Sequence, residues 1–313
     1  MYARSPEDLR FGIVGAGAIG CLFGASLSRA GHDVTLIHRD LSIVRAIQKN
    51  GVSLRETDKT VTRVRVPVRR GPTPLPGTEV LIIAVKAYDT KAVAASYRGI
   101  VPFETTVLSL QNGLGNIETL QSELKNELLA GSTTEGAFSL GPGSVLHTGR
   151  GLTVIGDPRG TKSETCSRIK IAFEEARFRT KISSNMAGVL WTKAIVNAAI
   201  NPLSGLTRLS NDALAKSAKI REIGFRVIDE GISVSRAERV ILAGDPRKLW
   251  RRILLSTSAN KSSMLQDIER RKMTEIRQLN GAILSRGKRR GVETPTNGIL
   301  TKLVLGIEES SNP

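Results

Sequence analysis

Short apolar runs separated by glycine- and proline-rich turns fill the first half of the chain. The runs with the length and composition of strands buried in a parallel sheet are residues 11–14, 34–37, 79–85 and 105–110. An Ala/Leu/Ser-rich helical pattern over residues 18–30 follows the first of them. This alternation of strand and helix predicts an α/β fold.

Two further stretches have patterns that predict pairs of antiparallel strands. Residues 51–70 alternate β-branched and polar side chains, which predicts a hairpin or short edge strands. Residues 131–156 contain strand-like segments broken by Gly141-Pro142-Gly143, and this break predicts a hairpin that closes the sheet. An amphipathic helix over residues 161–178 and a short strand over residues 179–183 follow.

A glycine-rich turn joins the first strand to the first helix. It fits G-x-G-x-x-G with Gly15, Ala16, Gly17, Ala18, Ile19 and Gly20. In such a motif Gly15 allows the tight turn, Gly17 lets the backbone approach a pyrophosphate, and Gly20 lets the helix pack closely on the strand. Because a second strand follows, the context predicts a dinucleotide site rather than a glycine turn without a ligand.

From about Ala187 onward the pattern changes to nearly continuous helix, so we place the domain boundary near Ser184. The predicted fold class is therefore α/β. A Rossmann-type dinucleotide-binding domain occupies residues 1–184, and an all-helical domain occupies residues 185–313.

The residues that follow the predicted strands bear on the cofactor. NAD enzymes usually carry an acidic residue after the second strand, which holds the ribose 2′-hydroxyl. Here that strand leads into His38-Arg39, a basic pair that favours the 2′-phosphate of NADPH, although Asp40 comes next and leaves NADH open. Lys86 and Asn112 follow later strands at the edge where such sheets bind ligands. The alternatives are surface charges at Arg39 and Lys86 and a turn-forming residue at Asn112.

The chain of 313 residues is strongly basic, with 46 Lys and Arg against 29 Asp and Glu. Between Arg236 and Arg290 there are fifteen basic and five acidic residues. Nucleic acid would be one partner for such a charge. Aromatic residues make up only 4%, however, and no DNA-binding motif occurs, so we expect no nucleic-acid function and a solvated basic surface instead.

Other compositional features restrict the class of protein further. No apolar run is long enough for a membrane span. The N-terminal residues lack the apolar region of a secretory signal, so no such signal is expected. Cys21 and Cys166 are far apart and lack the spacing of metal ligands, so no metal site is predicted. A cytoplasmic location is expected.

The predicted helical domain opens with an apolar segment that carries a few polar residues. Lys193, Asn197 and Asn201 recur every fourth residue and therefore share one helix face. Burying an ammonium and two amides without partners would cost several kcal/mol, so we expect this face to line a polar cleft. Pro202 is predicted to end or kink the helix, and Asn211 follows in a loop-like stretch.

A second polar cluster spans residues 260–276. Ser262 or Ser263 could cap a helix here, and Glu275 could pair with Arg271 one helical turn earlier. From these residues alone, such structural roles are the simpler interpretation.

Several motifs together resemble the ketopantoate reductase family. They are GAGAIG, VKAYDT, QNGLGN, K-x3-N-x3-N-P-L and SSMLQDIERRKMTEIRQLNG, which extend over nearly the whole chain. The last two are far more specific than the glycine turn. The resemblance implies a Rossmann domain followed by a helical domain like the C-terminal domain of 6-phosphogluconate dehydrogenase.

The resemblance also assigns roles to individual residues. It implies that Lys193 is the general acid and that Glu275 contacts the cofactor and supports turnover. It implies substrate contacts at Asn112, Asn197, Asn201, Asn211, Asn260 and Ser263. It implies cofactor contacts at Gly15, Ala16, Gly17, Ala18, Ile19, Gly20, Arg39, Lys86, Asn112, Gly136 and Glu275.

The activity that the resemblance implies is the NADPH-dependent reduction of 2-dehydropantoate to pantoate in pantothenate and coenzyme A synthesis. The partner is then a small 2-keto acid, and a homodimer is one option for the assembly. A reductase of a related 2-keto acid and a non-catalytic NADP-binding regulator are the alternatives. The polar set around Lys193 argues against the regulator, because a sensor needs no proton donor.

Overall fold

The computed structural model describes residues 9–256 and 261–311, which form two units. The first, the sheet unit, contains the chain up to Gln111 together with Asn116–Met186. The second, the helical unit, contains Asn112–Gly115 and the chain from Ala187 onward. The sequence places the boundary near Ser184 and does not predict that Asn112–Gly115 belongs to the helical unit.

The strands and helices of the described residues are numbered in chain order. The strands are β1 Arg10–Val14, β2 Asp33–His38, β3 Val52–Arg55, β4 Val61–Val64, β5 Val68–Arg70, β6 Val80–Ile83, β7 Thr106–Ser109, β8 Leu128–Thr133, β9 Gly136–Gly141, β10 Ser144–Gly149, β11 Thr153–Gly156 and β12 Thr180–Ile182. The helices are α1 Ala18–Arg29, α2 Leu41–Asn50, α3 Thr90–Tyr97, α4 Asn116–Glu123, α5 Glu164–Glu175, α6 Met186–Thr207, α7 Asn211–Lys216, α8 Ala218–Ala237, α9 Pro246–Ser256, α10 Ser263–Glu269, α11 Asn280–Arg290 and α12 Pro295–Ser311. Two 3₁₀ turns lie at Ala87–Asp89 and Ile276–Gln278.

The main sheet has the order β12-β11-β8-β7-β6-β1-β2-β5 in the described part of the chain. From β8 to β5 its neighbouring strands are all parallel, so their carboxyl ends lie at one edge. The chain adds β2 and β5 on one side of β1 and then returns to add β6, β7 and β8 on the other. The point where this direction reverses, between β1 and β6, is where open α/β sheets bind ligands. The predicted Rossmann-type architecture is confirmed.

The strand interiors explain why these segments form a central sheet. Every residue of β6 and β7 is buried, as is every residue of β8. Strands covered on both faces form continuous apolar runs, and this pattern marked β6 and β7 in the sequence but was not recognised for β8.

The hairpin predicted around Gly141-Pro142-Gly143 exists, but it does not close the main sheet. It joins β9 to β10 in a second sheet of order β4-β3-β10-β9. Val145 is buried together with Val52 and Leu54 of the neighbouring strand β3, and these residues belong to the same apolar core as α1. Alternating polarity specifies which face of a strand is buried and not which strand it pairs with, and this is why the prediction was wrong.

A buried histidine links the strands of this second sheet. The Nε2 atom of His147 lies 2.7 Å from Glu135 Oε2, and its Nδ1 atom lies 2.9 Å from Glu56 Oε2. Arg29 and Arg150 approach Glu56 at 3.7 and 3.8 Å. The hydrogen bond to Glu135 is the largest influence that raises the pKa of His147, against the opposing effect of burial.

His147→Gln is expected to lower stability most where the histidine is protonated, because both ring nitrogens then donate to carboxylates. A raised folded-state pKa adds stability that is fully present below the unfolded value of 6.5 and is lost as pH rises through the folded value. At pH 6 the variant should be less stable by roughly 1–3 kcal/mol, the scale of losing a buried hydrogen-bond partner. Urea denaturation of both proteins from pH 6 to 9 checks this, and a difference that stays constant over that range would contradict it.

The helical unit packs around α6, much of which is buried. Pro202 lies inside this helix, which continues to Thr207, so of the two predicted outcomes, an end or a kink, the end is wrong. A proline nitrogen cannot donate to the carbonyl four residues earlier, here that of Ala198. The Nδ2 group of Asn280 donates to that carbonyl at 3.0 Å and replaces the missing bond.

None of the helices in the described ranges combines the length and apolar character needed to cross a membrane. Both cysteines are buried and reduced. Desolvation by burial raises the pKa of the Cys21 thiol to about 12, so this side chain behaves as an apolar core group.

Candidate active site

The glycine turn has two positions that only glycine can fill. Gly15 has a φ of +108°, and a Cβ atom there would lie 2.7 Å from the backbone nitrogen of Val85. A Cβ atom at Gly20 would overlap the carbonyl oxygen of Gly15. These two glycines therefore allow the close packing of β1, α1 and the chain after β6.

Gly17 is different, because the backbone itself does not require a glycine there. It precedes α1 with a φ of −82°, and a Cβ atom would meet no described atom within 4 Å. No side chain among the described residues caps α1, and its first turn carries no acidic residue. The exposed end of α1 therefore presents backbone N–H groups beside open space, which fits the pyrophosphate of a dinucleotide.

Arg39 and Lys86 follow the strands on either side of β1. Arg39 comes after β2, its side chain is 73% exposed, and its Nη1 atom donates to Asp89 Oδ1 at 2.8 Å. Lys86 is half-buried and precedes the 3₁₀ turn Ala87–Asp89, to which its carbonyl is bonded. Both predicted cofactor residues thus lie at the same sheet edge as the glycine turn. Gly136 is the first residue of β9 and pairs with Gly149 in the second sheet.

A buried amide network fixes the carboxyl ends of β6 and β7. Gln111 Nε2 donates to the carbonyl of Val85 at 3.1 Å and to Thr90 Oγ1 at 2.7 Å. The Thr90 hydroxyl in turn lies 2.8 Å from Asn116 Oδ1. This network fixes Gln111, the residue immediately before Asn112. The sequence alone does not indicate this role of Gln111.

In the helical unit, Lys193 and Asn112 are in direct contact. Lys193 Nζ donates to Asn112 Oδ1 at 2.8 Å. The segment around Asn112 is itself held by the backbone, because the N–H of Leu114 donates to the carbonyl of Gln278 at 2.9 Å. Gly113, with a φ of +87°, permits the close approach to Gln278.

The electrostatic environment of Lys193 suits a proton donor. Desolvation by burial lowers the pKa of Lys193 to about 8, and the negative charge of Glu275 opposes this shift. Glu275 is buried and immediately precedes the 3₁₀ turn Ile276–Gln278. The amine is thus charged at neutral pH and closer to releasing its proton than an exposed lysine.

A second polar contact joins α6 to α10. Asn201 is buried, and its Nδ2 atom lies 3.5 Å from the Ser263 hydroxyl. Ser262, not Ser263, caps α10, because its Oγ atom accepts from the N–H of Leu265 at 3.1 Å. The cap leaves Ser263 to face the polar residue of α6. Asn197 is half-buried on the same helix.

Two predicted substrate residues remain, Asn211 and Asn260. Asn211 is buried at the first residue of α7, whereas the sequence predicts a loop there. Asn260 lies outside the described residues. No group of three or more potential metal ligands occurs in the ranges that the structure describes.

Comparison with known proteins agrees with both units. The family model described as ketopantoate reductase PanE/ApbA matches residues 11–160, and the model of its C-terminal domain matches residues 185–308. The chain belongs to the ketopantoate reductase family. Members of this family are NAD(P)-dependent oxidoreductases.

Individual family members are similar over nearly their full length. A 2-dehydropantoate 2-reductase of Pyrococcus horikoshii is 37% identical over 299 residues, which cover 95% of this chain and 96% of the relative. One from Archaeoglobus fulgidus is 34% identical and covers 96% and 98%.

Solved structures extend this similarity to the fold. A ketopantoate reductase of Ralstonia eutropha has a TM-score of 0.90 at 34% identity, covering 97% of this chain and all 100% of that one. The complex of D-mandelate dehydrogenase with NADH and anilino(oxo)acetate has a TM-score of 0.92 at 25% identity, with 97% and 100% covered.

Proposed function

We propose that the chain catalyses the reduction of 2-dehydropantoate to pantoate with NADPH. The observation that carries this proposal is the half-buried Lys193 ammonium, oriented by Asn112 and influenced by Glu275, in a chain of the ketopantoate reductase family. The named relatives support the choice of substrate.

In this proposal each polar residue has a definite task. The reduced nicotinamide, when bound, supplies the hydride that adds to the C2 carbonyl carbon. Lys193 stabilises the negative charge that develops on the carbonyl oxygen and donates the Nζ proton to it, which gives the 2-hydroxy acid. Asn112 holds the ammonium by its Oδ1 atom. The residues proposed to hold the substrate are Asn197, Asn201, Asn211, Asn260 and Ser263.

A reductase of another 2-keto acid is the second candidate. The similarity to D-mandelate dehydrogenase favours it, because mandelate is also a 2-hydroxy acid. The test is a nicotinamide absorbance assay with 2-dehydropantoate, phenylglyoxylate and pyruvate, each with NADPH and NADH. The highest kcat/KM is expected for 2-dehydropantoate. Dinucleotide binding without turnover of any 2-keto acid would instead support the regulator.

NADPH is the proposed cofactor because Arg39 follows β2 with an exposed guanidinium. Arg39→Ala is expected to raise KM for NADPH by roughly tenfold, the lower end of what a hydrogen bond to a charged group contributes. KM for NADH should stay unchanged, since NADH lacks the 2′-phosphate.

Arg45→Ala is the matched control for this experiment, because Arg45 is an exposed arginine of α2. It should leave both KM values unchanged. An equal rise for NADPH and NADH in Arg39→Ala would mean that the 2′-phosphate is held elsewhere.

A homodimer and a cytoplasmic location stay predictions. The two buried thiols are compatible with a reducing compartment.

A further inference from the structure

The helix α12 contacts the turn that precedes the 3₁₀ turn Ile276–Gln278 and holds it in place. Residues 272–275 belong to neither a helix nor a strand. Glu308 on α12 accepts hydrogen bonds at one oxygen from the N–H of Thr274 at 2.8 Å and from its hydroxyl at 2.7 Å. Its other oxygen accepts from Arg277 Nη1 at 2.7 Å. The Glu308 side chain is only 8% exposed, so these contacts are shielded from water.

This turn carries two groups that act on Lys193. Glu275, next to Thr274, is the charged side chain that raises the pKa of the lysine against its burial. At the other end of the turn, the carbonyl of Gln278 accepts from the N–H of Leu114 and so holds the segment that contains Asn112. Asn112 in turn contacts the lysine directly.

The turn is continuous between these two groups. The Thr274 hydroxyl accepts from the N–H of Ile276 at 3.2 Å, and the N–H groups of Gln278 and Leu279 donate to the carbonyl of Glu275 at 3.0 and 3.1 Å. A displacement of Thr274 is therefore transmitted to both Glu275 and Gln278.

We propose that Glu308 is a positioning residue for Lys193, because it fixes the turn that places Glu275 and Asn112 around the amine. Glu308 does not touch the amine itself. The inference rests on the proposed function for its effect on turnover, whereas the effect on the lysine is independent of any substrate.

The proposal has a definite electrostatic consequence. Without Glu308 the N–H and hydroxyl of Thr274 lose a buried acceptor, and the Glu275 carboxylate is no longer held at a fixed place. The opposing charge then acts less on Lys193, while desolvation still favours the neutral amine. Lys193 should therefore lose its proton at lower pH. Two charged groups enter this argument besides Lys193 and Glu308. Glu275 acts on the charge of Lys193, and Arg277 donates a hydrogen bond to Glu308.

The direct test measures the protonation of Lys193 in the free protein. Competitive acylation with acetic anhydride from pH 6 to 10, followed by mass spectrometry of the peptide that contains Lys193, gives the pH midpoint of its reactivity. We expect a midpoint of about 8 in the unmodified chain. It should move to lower pH in Glu308→Ala. Glu309→Ala, at the exposed neighbour on α12, is the matched control and should leave the midpoint unchanged.

Glu308→Gln separates positioning from charge. Its amide oxygen can still accept from Thr274, whereas the negative charge and, with it, the acceptor for Arg277 are lost. A midpoint near that of the unmodified chain supports positioning, whereas a shift as large as in Glu308→Ala means that Glu308 acts through its own charge and overturns the proposal. If Glu308→Ala does not fold, Thr274→Val removes the hydroxyl contact alone and should move the midpoint in the same direction by less.

Turnover gives a second readout. At pH values above the Lys193 midpoint of the unmodified chain, kcat of Glu308→Ala with 2-dehydropantoate should be roughly three- to tenfold lower than that of the unmodified chain. At pH 6.5 the two kcat values should agree within about twofold, since the lost effect is that of one opposite charge. An unchanged Lys193 midpoint overturns the positioning role whatever the activity. A shifted midpoint in a chain that reduces no 2-keto acid would support the positioning role and contradict the proposed function.

Discussion

Lys193→Met is expected to lower kcat by about 10²–10⁴-fold, the usual contribution of a positioned general acid. Methionine has a similar length but neither a charge nor a proton to donate. Losing the desolvation cost of the ammonium stabilises the variant, whereas leaving the buried Glu275 without the opposite charge destabilises it, so thermal unfolding checks that the variant is folded. Binding of NADPH should change little, since the amine acts on the substrate carbonyl in the proposed mechanism.

The measurements are kcat from nicotinamide absorbance, the Kd of NADPH by titration calorimetry, and thermal unfolding. In the unmodified chain kcat should decline as pH rises through about 8, because the ammonium form of Lys193 is lost there. This decline should be absent from Lys193→Met. Lys219→Met, at an exposed residue of α8, is the control and should behave like the unmodified chain. A kcat within about tenfold of normal in Lys193→Met would exclude the lysine as general acid.

Gly17→Val and Gly20→Val should separate cofactor binding from folding. At Gly17 an added Cβ atom would meet no described atom within 4 Å, so thermal stability should change little. The valine side chain would nevertheless occupy the space in which the cofactor phosphates are proposed to approach the N-terminus of α1. The Kd of NADPH should rise by about 10- to 150-fold, the equivalent of one hydrogen bond to a charged group.

Gly20→Val is expected to do the opposite. Its side chain would overlap the carbonyl of Gly15, so unfolding should become easier by roughly 1–3 kcal/mol or more. Thermal unfolding and NADPH titration of the two variants check both expectations. Normal NADPH affinity in Gly17→Val would mean that the end of α1 does not receive the pyrophosphate.

The centre of the main sheet was predictable because its strands there are buried along their whole length. β6 and β7 are buried at every residue, and such runs need no partner to be recognised. Strand pairing was less predictable. β3 and β10 lie far apart in the chain, and nothing in their alternating polarity indicates that they pair in a separate sheet.

The continuation of α6 through Pro202 could not be predicted from the helix alone. The group that compensates for the proline, the amide of Asn280, lies 82 residues beyond Ala198. A local rule about proline is correct for an isolated helix. It fails here because a distant side chain supplies the missing donor.

For the candidate site, spacing identified the α6 face, and resemblance to the family identified the partners on other segments. Neither indicated the residues that support the site. Glu308 lies 34 residues from Thr274, and Gln278 acts through its backbone carbonyl, which has no side-chain signature. The identities of the supporting residues become clear only when the chain is folded.

The unbroken course of α6 sets a fixed distance between the residues proposed to hold the two ends of a substrate. An α-helix rises 1.5 Å per residue, so Lys193 and Asn201 are separated by about 12 Å along the axis. Both residues lie before Pro202 on this one helix, so its regular hydrogen bonding keeps their separation constant. With one continuous helix it does not vary, and we therefore expect discrimination among 2-keto acids to depend most strongly on the length of the carbon chain.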